Sequence, residues 1–107
     1  MINIEEKDKK IIDKILREYL PTEEIRVFGS RITENVKKYS DLDLAIVGEK
    51  QIEFRLINKL IEEFEYSDLN IRVDILDYNS ISENFRKIID KKYEIWRWKL
   101  WRWISQY

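Results

Sequence analysis

The alternation of two periodicities is what most restricts the fold of this chain. Three short runs, Ile25–Phe28, Asp41–Val47 and Ile71–Leu76, are rich in β-branched, aliphatic and aromatic residues and read as strands. Around them, apolar residues recur at helical spacing. Ile11, Ile12, Ile15, Leu16, Tyr19 and Leu20 predict a helix from about Ile4 to Leu20, which Pro21 should end. Leu56, Ile57, Leu60, Ile61 and Phe64 predict a second from Gln51 to about Tyr66. Ser80 followed by Glu83 fits a capping box, with Ile81, Phe85, Ile88 and Ile89 continuing as a helix. Ser30 stands where an N-cap would stand, before a short helix predicted from Arg31 to about Val36. Helices and strands thus alternate along one domain, and an α/β (α+β) fold follows: a small mixed β-sheet flanked by helices.

Composition narrows the chemistry. The 107 residues include no cysteine and no histidine. Thiol nucleophiles, zinc ribbons, Ser-His-Asp triads and HExxH sites are excluded. Any reaction must use carboxylates, hydroxyls, lysines, arginines or a bound ion, and oxygen-rich sites favour hard cations. Lys plus Arg (20) and Asp plus Glu (21) nearly cancel, so no global field draws the chain to nucleic acid or to an anionic membrane. MINIEEKDKK does not read as a signal peptide, and no apolar run reaches the roughly 18–20 residues of a membrane helix. The expectation is a soluble, cytoplasmic protein.

The stretch VFGSRITENVKKYSDLDLAIV, from Val27 to Val47, holds two features with a chemical use. Gly29-Ser30, between a strand and a predicted helix, allows a sharp turn, close approach of a ligand and phosphate binding at backbone N–H groups. Arg31 can add charge there; the plain alternative is a capped turn. Asp41 and Asp43 alternate along a strand, about 7 Å apart on one face, and their repulsion is relieved by a cation. The alternative is a solvated acidic edge. A third feature is Asp74, inside the apolar run Ile71–Leu76, where a carboxylate needs a partner. Arg72 or a lysine can be that partner. If its strand lies beside that of Asp41, Asp74 completes a three-carboxylate cluster able to hold two magnesium ions for phosphoryl displacement.

Gly29-Ser30, ten intervening residues and Asp41-Leu42-Asp43 resemble the signature of the DNA polymerase beta-like nucleotidyltransferase superfamily. VFGSR, KKYSDLDLAI and RVDILD look like its minimal nucleotidyltransferase (MNT) branch, and the resemblance spans about residues 10 to 95. It implies an enzyme that transfers a nucleotide from ATP. Asp41, Asp43 and Asp74 would be catalytic and bind two Mg2+ ions when nucleotide is present. Asp74 would also help activate the acceptor hydroxyl, and Gly29, Ser30 and Arg31 would hold the nucleotide. It further implies an antitoxin of HEPN/MNT pairs, which binds a HEPN-domain toxin and moves AMP from ATP to one of its tyrosines. Two other readings stay open. One is a non-catalytic module that neutralises its partner by complex formation. The other is a nucleotidyltransferase acting on nucleic acid.

The nucleotidyltransferase domain is expected over residues 1–95, followed by a Trp/Arg-rich tail over 96–107. In the tail, Arg97, Lys99 and Arg102 alternate with Trp96, Trp98, Trp101 and Trp103. As a helix it would be apolar on more than one side. That pattern fits a partner or dimer interface, packing on the chain's own core, or contact with nucleic acid or a membrane surface.

Overall fold

Residues 2–97 are described by the computed structural model. Helix α1 runs Glu6–Tyr19. Its stripe of Ile12, Ile15 and Leu16 is buried, and Glu6 and Asp8 in the first turn complement the helix dipole. It stops at Leu20, ahead of Pro21, as expected. Strand β1 (Glu24–Phe28) follows, then β2 (Leu42–Val47), helix α2 (Phe54–Glu65), β3 (Val73–Asp77), helix α3 (Glu83–Lys91) and a two-residue β4 (Glu94–Ile95).

The sheet order is β3-β2-β1-β4. β1 is antiparallel to β2 and β4, whereas β2 and β3 are parallel and joined through α2. This is the mixed sheet the alternating pattern requires. Its layers follow from residue alternation. Ile25, Val27, Leu42, Leu44 and Ile46 meet Ile12, Leu16 and Leu20 of the α1 segment and Leu60 and Phe64 of α2 in one core cluster. Each such aliphatic contributes about 1.5–3 kcal/mol by leaving water. The opposite face carries Arg26, Phe28, Asp43 and Asp74. There α3 is clamped to the sheet by Arg26 Nη1–Asp90 Oδ1 at 2.7 Å, and Ile89 is fully buried.

Two local expectations change. No helix spans Arg31 to Val36: only a single 3-10 turn, Ser30–Ile32, forms. The Thr33 amide and hydroxyl both bond the Ser30 carbonyl, at 3.0 and 2.8 Å, and close the turn. The cap of α3 is Ser82, whose hydroxyl accepts from the Phe85 amide. Ser80 instead donates to Asp77 Oδ2 at 2.8 Å, within a 3-10 turn. Trp96 takes one of the readings left open, packing on the chain's own core. It is 5% exposed, its amide bonds the Ile25 carbonyl beyond β4, and its indole Nε1 donates to Asp13 on α1. The expectations for Trp98, Lys99, Trp101, Arg102 and Trp103 fall outside the described residues.

Candidate active site

The site lies at the end of the sheet where β1 finishes and β2 begins. Phe28, the last residue of β1, is the register partner of Asp43. Asp43 is in turn the register partner of Asp74 across the parallel β2–β3 pair. Register partners share a face, so Phe28, Asp43 and Asp74 form a row across three strands. Asp41 stands just ahead of β2, half-buried, two residues from Asp43.

Electrostatics tie the three carboxylates together. The Asp43 carboxyl is pushed up to about 6, first by burial and then by the negative charges of Asp74 and Asp41. A carboxylate that feels both neighbours shares one field with them. Asp74 also meets Arg72, with Nη2 to Oδ1 at 3.3 Å, in an exposed ion pair. The salt-bridge alternative for Asp74 and its place beside Asp43 therefore hold together. Among the described residues, no three carboxylates stand close enough to ligate a single ion as they are placed. The donor set nonetheless suits a hard cation: oxygen ligands only, and a shared negative field that a cation would relieve.

Gly29 completes the site. It has φ +82 and ψ −159, a conformation that only glycine adopts without strain. A Cβ there would overlap Asp43 Oδ2. The backbone between β1 and Ser30 thus lies directly against the Asp43 carboxylate. Ser30 follows it, half-buried. Where the sequence predicts a helix N-terminus, Gly29 leads into a single 3-10 turn, Ser30–Ile32.

The chain matches the family described as "Polymerase beta, Nucleotidyltransferase" over residues 9–96. It belongs to that nucleotidyltransferase family. It is similar to the "Probable protein adenylyltransferase MntA" of Haemophilus influenzae, 43% identical over 94 residues, which cover 88% of this chain and 82% of that protein. Two solved structures share the fold. A toxin–antitoxin with AMP-PNP aligns with a TM-score of 0.69 and 22% identity, over 86% of this chain and 74% of that one. A tri-AMPylated Shewanella oneidensis HEPN toxin in complex with MNT antitoxin aligns with a TM-score of 0.65 and 22% identity, over 92% and 76%.

Within this nucleotidyltransferase fold, Arg31, expected to help hold the nucleotide, makes its hydrogen bonds to the chain's own backbone. It is 7% exposed, and its guanidinium turns inward. Nε and Nη2 donate to the Ser40 carbonyl at 3.0 and 2.7 Å, Nη2 also to Lys38 O, and Nη1 to Asn3 O. Five fixed donors suit a loop with several open carbonyls, and the loop folded back by Arg31 delivers Asp41. Spacing does not reveal this, because direction off a turn is set by tertiary contacts. The aromatic neighbour Phe28 was equally hidden: it reads as a strand residue, and only register sets it beside Asp43.

Proposed function

We propose that the chain is a magnesium-dependent protein adenylyltransferase and the antitoxin of a HEPN-domain toxin, transferring AMP from ATP to a tyrosine hydroxyl of that toxin. The observation that carries this reading is the row Asp43–Asp74 with Asp41 in the same field, set against the Gly29 turn. Gly29 and Ser30 face the triphosphate. Asp41, Asp43 and Asp74 would hold Mg2+, which would supply neutralisation of the charge on the triphosphate and at the reacting oxygens, and Asp74 accepts the proton of the acceptor hydroxyl. The acceptor oxygen forms a bond to the α-phosphorus, the bond from that phosphorus to the bridging oxygen breaks, and pyrophosphate leaves. Among the described residues no helix is long and apolar enough to cross a membrane, and ATP as substrate fits a cytoplasmic enzyme.

The relatives named as an adenylyltransferase and as the antitoxin of a HEPN toxin point to the partner that supplies the acceptor tyrosine. The test is transfer of label from α-labelled ATP with magnesium, in the presence of the HEPN-domain partner. Label on the partner with wild type, and none with Asp41→Ala/Asp43→Ala, is the expected result. A complex that forms and neutralises the toxin equally well with the double variant, with no label, would replace enzymatic action by occlusion.

A further inference from the structure

A partly exposed aromatic ring packs on Phe28, on the face of the sheet that carries the carboxylate row. Phe85, in the first turn of α3, is 38% exposed. Its ring meets Phe28 edge to face, with centroids 6.1 Å apart at 89°. Phe28 is the register partner of Asp43, and α3 lies on that same face through Arg26 and Asp90. The helix is anchored without Phe85. Ile89 is fully buried, Tyr78 Oη donates to Asp90 at 2.7 Å, and Arg86 Nε donates to the Tyr78 carbonyl at 3.0 Å. A perpendicular pair uses at most one face of one ring, so flat apolar surface remains for a third ring.

Phe28 directly precedes Gly29-Ser30 in the chain and is the register partner of Asp43, so a nucleoside whose triphosphate binds at that turn would lie near the Phe28–Phe85 pair. We infer that Phe85, braced by Phe28, is the wall on which the nucleobase stacks, and that this site prefers purine over pyrimidine nucleotides by stacking area. The inference rests on the proposed use of a nucleoside triphosphate. It makes Phe85 a specificity-determining residue, because stacking rewards a large π-face.

Calorimetric titration of the full chain with MgATP, MgUTP and magnesium tripolyphosphate tests it. Tripolyphosphate has no base. Wild type should bind MgATP more tightly than MgUTP. Phe85→Ala should weaken MgATP by about 5- to 100-fold and leave tripolyphosphate unchanged. Phe85→Leu, which keeps an apolar contact on Phe28, should weaken MgATP as well, and Phe85→Trp should retain it. An equal loss of ATP and tripolyphosphate in the Ala and Leu variants would make Phe85 a support of the turn and overturn the inference. Unchanged ATP affinity would also overturn it. Wild type that binds neither probe would remove the nucleotide reading beneath it.

Discussion

Asp43 and Asp74 are register partners on adjacent parallel strands, two carboxylates facing one side of the sheet with Asp41 in the same field. Burial and these neighbours raise the Asp43 carboxyl to about 6. It therefore binds its proton more tightly folded than unfolded. Its contribution to stability is fully present below about pH 4 and is lost as pH rises through about 6. Asp43→Asn should thus stabilise the metal-free protein at pH 7.5, by about 1 kcal/mol once solvent screening of this half-buried group is allowed for. The gain should vanish at pH 4. Urea unfolding of both proteins at the two pH values measures it.

The same charge should make magnesium a stabiliser. Metal that binds the folded carboxylates raises Tm by mass action, and protons compete for the same oxygens. Millimolar Mg2+ should raise Tm at pH 7.5, do much less at pH 5, and do nothing for Asp41→Ala/Asp43→Ala. Thermal scans with and without the ion decide the point. An equal rise in the double variant would move the metal elsewhere.

At Gly29 a methyl group meets both a forbidden backbone and a filled space. Gly29→Ala must hold φ +82 and push against Asp43 Oδ2. A destabilisation of about 1–3 kcal/mol and loss of nucleotidyl transfer are expected. Denaturation midpoints and label transfer from α-labelled ATP read the two effects separately.

Arg31 should behave as a structural strut. Arg31→Ala would leave the Ser40, Lys38 and Asn3 carbonyls without their donor in a part-buried setting, at about 2–4 kcal/mol. Arg31→Lys should not restore stability, since one ammonium cannot reproduce the fork. A loss of ATP affinity in both variants with the unfolding midpoint unchanged would return Arg31 to the nucleotide.

Trp96 ties the end of the sheet to α1. Its Nε1 donates to Asp13 Oδ1 at 3.0 Å, across 83 positions in the chain. Trp96→Ala should destabilise by about 3–5 kcal/mol, leaving a cavity and a buried carboxylate with one donor fewer. A chain ended after Ile95 should unfold at markedly lower urea than one ended after Arg97. Equal midpoints would set the domain boundary where composition alone put it.

The elements best read from sequence were those whose own residues settle them. α1 and α2 show long 3.6-residue stripes, and β2 is a dense apolar run. Gly29, Asp41 and Asp43 were legible because local spacing alone places them at a strand end and at the next strand's start. The segment 31–36 misled because helix propensity there is weak, and a distant set of carbonyls recruited Arg31. β4 is two residues long and exists only because β1 offers it an edge.

By itself, then, the sequence determined the kinds of elements, their order and the acidic chemistry available, because periodicity and composition are local. Only the tertiary structure decided what stands beside what: Asp74 against Asp43, Phe85 against Phe28, Trp96 against Asp13, and Arg31 under its loop. Those relations depend on strand register and helix docking, which are fixed by the whole core at once and by no short segment of it.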